Sequence, residues 1–174
     1  MEKTVYQGKY IKVTEEVIEN NTWERVYLHD GIQVFPINNE GKIALIEEKR
    51  PHEKEKVRLK FVTGLMDKDN EDPILTANRE LQEEIGYKAK HLQVLFTKES
   101  TGTVNNTFYQ VIATGLEKSK IPNPDGEDTI LSVQFYSIDE IENFLENDQL
   151  QWNLGALGIL RIKKLFEKNL INYK

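Results

Sequence analysis

Residues 64–87 run GLMDKDNEDPILTANRELQEEIGY: a glycine, an acidic loop, a proline, then a charged amphipathic run closed by a second glycine. Pro73 suits a first helical turn, where its missing N–H would have had no partner. Ile74, Ala77, Leu81 and Ile85 recur at helical spacing and form one apolar stripe. Gly86 is a natural terminator. The pattern predicts a helix ending near Ile85, with Glu80, Glu83 and Glu84 on the flank beside the stripe. Residues three and four apart are surface neighbours on a helix, so these like charges repel unless something positive lies among them. Two readings follow. Glutamates favour helices and decorate solvent faces. Alternatively, a hard divalent cation, which takes oxygen ligands, sits among them.

On the N-terminal side the chain reads as strands. Tyr10–Ile18 partly alternates, Glu19-Asn20-Asn21 signals a turn, and Thr22–Leu28 starts a second extended run. Ile32–Ile37 and Lys42–Ile46 flank Asn38-Asn39-Glu40-Gly41, a hairpin signal. Arg58–Thr63 leads as a strand into Gly64. After Gly86, Leu92–Phe96, Thr107–Ala113 and Ile130–Tyr136 read as strands. Ser137 with Glu140 is a capping-box signal for a helix through about Glu146. A last amphipathic helix covers Leu154–Glu167. Strands dominate, with helices between and after them, so the class is α+β.

The chain has 174 residues, which fits one compact domain or one domain with an appended element. It has no cysteine, which removes disulfides and thiolate metal sites and suits a reducing cytoplasm. No apolar run approaches the roughly 20 residues of a membrane span, so no membrane partner is expected. The net charge of −6 speaks against non-specific nucleic-acid binding. His29, His52 and His91 are scattered and form no motif.

Arg79-Glu80-Leu81-Gln82-Glu83-Glu84-Ile85-Gly86-Tyr87 resembles the second half of the Nudix box, and seven residues separate Glu71 from Arg79, as that box requires. Six residues rather than five separate Gly64 from Glu71, an insertion placed in the loop Asp67–Asn70. Tyr87 replaces an aliphatic residue. The resemblance implies an α/β/α sandwich on a mixed sheet, with the box as a loop–helix–loop. It implies Mg²⁺ or Mn²⁺ held mainly by Glu80 and Glu84, with Glu83 and the carbonyl of Thr63 in support. Arg79 is expected to position a glutamate side chain by a charged hydrogen bond.

Over most of its length the chain is similar to the ADP-ribose pyrophosphatase group. That likeness implies a strand-rich segment over residues 1–30, a small antiparallel sheet exchanged in a homodimer, ahead of a Nudix domain over 31–174. It implies that Trp23 stacks on a nucleobase, that Glu24 bonds to it, and that Arg50 contacts the diphosphate. Glu127, in Pro124-Asp125-Gly126-Glu127, is the expected general base. Each has a plainer explanation: Trp23 as packing, Arg50 as a solvated charge, Glu127 as an ordinary acidic loop residue. The expected substrate is ADP-ribose or a related nucleotide sugar, and the expected products are a nucleoside monophosphate and a sugar phosphate. The alternatives are a nucleotide-sugar sensor without turnover, or a Nudix enzyme acting on another nucleotide. Two departures stand out. Lys60-Phe61-Val62-Thr63 replaces a Glu-aliphatic-Pro-Ala pattern, reversing a charge near the site. Ser100-Thr101-Gly102-Thr103 replaces a more usual Ser-Pro-Gly.

Overall fold

A computed structural model describes residues 1–66, 71–122, 129–150 and 153–173. The chain opens with an antiparallel meander of β1 (Lys3–Gln7), β2 (Ile11–Ile18) and β3 (Asn21–Leu28). Glu19 and Asn20, both at positive φ (50° and 66°), turn β2 into β3, as the two central residues of a tight hairpin must. The sequence reading missed β1. All five of its residues are exposed, so no apolar alternation marks it. It is pinned by register and by Glu2, whose Oε1 accepts from the hydroxyls of Thr14 and Tyr27.

The central sheet is mixed. β4 (Asp30–Pro36) pairs antiparallel with β7 (Val62–Met66) and parallel with β9 (Val104–Lys118). β9 also takes β8 (Tyr87–Ser100) antiparallel, and a short parallel contact, Val26↔Val104 and Tyr27↔Asn105, joins the N-terminal meander to it. A second sheet has the order β10 (Ile130–Tyr136), β5 (Ile43–Lys49), β6 (Val57–Lys60), all antiparallel.

The hairpin expected between Ile37 and Lys42 is corrected here. Its turn forms, with Asn38 Oδ1 accepting from the N–H groups of Glu40 and Lys42 at 3.0 and 2.9 Å. The flanking strands share one bridge, Ile37↔Ile43, and then part into different sheets. Both edges of β4 are already taken by β7 and β9, so β5 has no edge of β4 to pair with.

Both faces of these strands are covered. On β4 and β5, Ile32, Val34, Ala44 and Ile46 join a core that includes Ala77, Leu81 and Ile85. Phe35, Ile37, Ile43 and Leu45 join another that includes Ile141, Ile159 and Ile162. Alternate residues of a strand point to opposite faces, so β4 and β5 serve both cores. The layers are α1 (Pro73–Glu80) on one side and α2 (Ile138–Glu146) with α3 (Asn153–Glu167) on the other, an α/β/α sandwich. α2 begins at the expected capping box: Ser137 Oγ accepts from Glu140 N–H at 3.3 Å, and Glu140 Oε2 accepts from Ser137 N–H at 2.8 Å.

Candidate active site

The helix that carries the glutamates starts as expected. Asp72 caps it, accepting from Ile74 N–H at 2.8 Å, and Pro73 occupies the first turn. Regular α-helix ends at Glu80. Leu81–Ile85 forms a π-helical turn, and Gly86 closes it in the left-handed region at φ 74°. The single α-helix expected through Ile85 is therefore corrected. The apolar stripe survives, with Ala77, Leu81 and Ile85 all buried. The wider turn changes the angle between Glu80 and Glu84, so the two glutamates face different partners. Single π turns of this kind are frequent at functional sites.

Glu80 packs against Gly64 in the middle of β7. A Cβ there would overlap the Glu80 side chain, so only glycine leaves room for this carboxyl. Arg79 Nη1 lies 2.9 Å from Glu80 Oε1 and 2.9 Å from Glu83 Oε2, and its Nε lies 3.7 Å from Glu71 Oε1. One guanidinium thus gathers three acidic side chains of the box. Glu71 Oε2 is buried without a hydrogen-bond partner.

Glu84 turns the other way. Its Oε2 accepts from Thr63 N–H at 3.3 Å, which sets the Thr63 peptide beside it. Its Oε1 lies 3.4 Å from Lys60 Nζ, and that ammonium lies 3.2 Å from Glu48 Oε2. The same Glu48 oxygen lies 3.5 Å from Arg50 Nη1, and Glu53 ties Arg50 to Arg58 at 3.0 and 3.2 Å. A line of alternating charge therefore runs from Arg50 through Glu48 and Lys60 to Glu84.

Burial dominates the proton affinities. It pushes Glu80 up to about 8 against the pull of Arg79, with Glu84 and Glu83 adding to the rise. It pushes Glu84 up to about 7 against Lys60, with Glu48 adding and the Thr63 N–H opposing. Burial works against the charge of Arg79, yet Glu80, Glu83 and Glu71 outweigh it and hold the proton more firmly than usual. Buried negative charge here exceeds what Arg79 and Lys60 offset. Together with the Gly64 cradle and the unbonded Glu71 oxygen, this donor set of hard carboxylates fits a divalent cation. Among the described residues the side chains do not themselves close into a cage of three or more ligands, since Arg79 and Lys60 stand among the carboxylates.

Arg79, Glu80, Glu83, Glu84 and the Thr63 peptide come together, and Arg50 reaches them through Glu48 and Lys60. Trp23, 54% exposed, and Glu24 lie apart on β3, which pairs with β2 and β9. Glu127 and the loop insertion at Asp67–Asn70 fall outside the described residues. Sequence reasoning missed Glu48 as a member of the site. The signal was present: Glu48 follows Ala44 and Ile46 at period two on the inward face, and Lys60 pairs opposite Ile46. A groove of about 780 Å³ between the β8–β9 hairpin and residues 170–173 shares no lining residue with the carboxylates.

A family model described as the NUDIX domain matches residues 27–155. The chain is 27% identical over 153 residues to a methanol dehydrogenase activator of Bacillus methanolicus, covering 84% of this chain and 81% of that one. It is 26% identical over 151 residues to an ADP-ribose pyrophosphatase of Mycobacterium tuberculosis, covering 86% of this chain and 69% of the other. A crystal structure of an ADP compounds hydrolase superposes with a TM-score of 0.81 at 20% identity, covering 97% of this chain and 93% of that one. The family model covers most of the strands and the glutamate helix described above: the chain belongs to the Nudix family and is a Nudix hydrolase.

Proposed function

We propose that the chain hydrolyses the diphosphate bond of ADP-ribose or a related nucleoside diphosphate sugar, releasing a nucleoside monophosphate and a sugar phosphate. The observation that carries this reading is the buried set Arg79, Glu80, Glu83 and Glu84 against Gly64. The similarity to an ADP-ribose pyrophosphatase over most of the chain supports the choice of substrate.

In this reading Glu80, Glu83, Glu84 and the Thr63 carbonyl hold Mg²⁺ or Mn²⁺. A divalent ion held there would supply Lewis-acid polarisation of a phosphoryl oxygen and a more acidic water. Arg79 fixes the rotamers of Glu80 and Glu83 by sharing one Nη1 between them, at 2.9 Å to each. Thr63 N–H holds one oxygen of Glu84. Arg50, at the outer end of the charge line, offsets negative charge on the diphosphate as it develops. Glu127 accepts the proton of the attacking water.

A homodimer belongs to the same proposal. The N-terminal meander exposes Tyr6, Ile11 and Val17 on one face and Ile18 and Trp23 on the other, and a partner subunit would take this apolar surface out of water. Exchange about a two-fold axis would carry Trp23 and Glu24 to the neighbour's site, where they would bind the base. Among the described residues no helix is long and apolar enough to cross a membrane.

The test is product release from a panel of nucleoside diphosphate sugars, dinucleotides and nucleoside triphosphates with Mg²⁺ and with Mn²⁺. Turnover of ADP-ribose or another nucleotide sugar above the rest is the expected outcome. Preference for a triphosphate overturns the substrate. Lys60 pairing with Glu84 favours a second reading, binding without turnover, which tight binding with no product under either metal would support.

A further inference from the structure

Lys60 is an enclosed cation. Its side chain is 6% exposed, and the carboxylates it meets, Glu48 and Glu84, are 8% and 12% exposed. The ammonium lies 3.2 Å from Glu48 Oε2 and 3.4 Å from Glu84 Oε1, so it joins an oxygen of β5 to an oxygen of the glutamate helix. Its place is set by register. Lys60 pairs with Ile46, Arg58 pairs with Glu48, and the side chains of 46, 48, 58 and 60 share one face of the β5–β6 ladder. An ammonium has three donors and no acceptor, so it cannot itself ligate a metal. It repels any second cation placed within a few ångströms, and burial strengthens that repulsion. Glu48 Oε2 and, beside Arg79, Glu71 Oε2 are both buried with no hydrogen-bond partner, so charge alone ties Lys60 to Glu48.

We propose that Lys60 is a resident counter-ion that pairs in charge with Glu84 Oε1 and Glu48 Oε2 and takes the place of one divalent ion beside them, leaving Glu80, Glu83 and the other oxygen of Glu84 to the metal of the reading above. The inference rests on the metal-site reading above and sharpens it: this chain loads fewer divalent ions than its carboxylates would otherwise hold. Lys60 is a positioning residue here, since it acts through Glu84.

The test is Mn²⁺ titration of the purified full chain, followed by the electron paramagnetic resonance of free Mn²⁺. Lys60→Met is expected to bind one additional equivalent of Mn²⁺, or to bind it about tenfold more tightly, as removal of one close like charge should allow. Lys60→Arg, which keeps the charge, is expected to keep the wild-type count. A folded Lys60→Met with the wild-type count and an affinity within about twofold overturns the proposal. Where circular dichroism shows Lys60→Met unfolded, Glu48→Gln is compared with Glu48→Gln/Lys60→Met, in which the buried charges leave as a pair, under the same criteria. Absence of Mn²⁺ binding in every protein overturns the metal site itself and this inference with it. Equal binding in all of them overturns the role of Lys60 alone.

Discussion

The side chain of Glu80 occupies the space that a Cβ on Gly64 would need. The strand that ends the β6–β7 segment and the helix that follows the box loop are thereby locked in one relative position. The atoms that would collide are Cγ, Cδ and Oε1 of Glu80, so the group that must move is the carboxyl that Arg79 holds at 2.9 Å.

Gly64→Ala therefore expels Glu80 from its cradle. The expected result is a fall in kcat/KM of at least about 100-fold, the scale of losing one preorganised electrostatic contact. The secondary-structure signal in circular dichroism should remain, because the cores around Ala77 and Ile162 are untouched. Wild-type kinetics in Gly64→Ala would show that Glu80 has no part in turnover.

Metal removal is the second test. Turnover is expected to vanish in EDTA and to return with Mg²⁺ or Mn²⁺. Glu84→Gln keeps the shape of the side chain and removes its charge, and is expected to cost at least about 100-fold in rate. Full activity in excess chelator would remove the metal from the reaction.

Stability should depend on pH with an unusual sign. Glu80 and Glu84 are pushed up to about 8 and about 7, above the ordinary carboxylate range. Between about pH 4.5 and about pH 8 the folded state then holds more protons than the unfolded one, so stability falls as pH rises through that window. Melting of the metal-free protein is expected at lower temperature at the upper end than at the lower end. Glu80→Gln should flatten the fall and raise the melting temperature near the upper end by several degrees, while abolishing turnover. A melting temperature that climbs steadily through this window in EDTA would contradict the burial of these charges.

Trp23→Ala tests the exchanged dimer together with base binding. Light scattering is expected to give a dimer. Stacking is made in ground and transition states alike, so the variant should raise KM more than it lowers kcat. The expected cost is about 1–3 kcal/mol, the range for an aromatic side chain on a base. A fully active monomer would refute the exchange, and a dimer variant losing only kcat would assign Trp23 to structural support.

Ser137→Ala is the control far from the carboxylates. Losing the cap should cost about 1 kcal/mol, or about 2–4 °C in melting temperature for a chain of this size, with kcat unchanged. A change in kcat would mean that α2 couples to the site.

The amino-acid sequence alone determined whatever depends on short spacing. The apolar stripe from Ile74 to Ile85, the proline start and the capping box at Ser137 are local patterns, read within a few residues of chain. The box glutamates were legible for the same reason, since their spacing lies along one short segment. Tertiary structure decided everything that depends on which strand edges remain free. β4 and β5 parted because β7 and β9 had taken the edges of β4. β8 and β9 extend to 14 and 15 residues, beyond their apolar centres, because each supplies the other's backbone hydrogen bonds. The π-helical turn that splits Glu80 from Glu84 leaves no mark in a sequence whose periodicity reads as α-helix. The partners of Glu84 likewise come from distant chain. Lys60 is 24 residues away and Glu48 lies on another strand, and only the pairing of β5 with β6 brings their charges to one inward face.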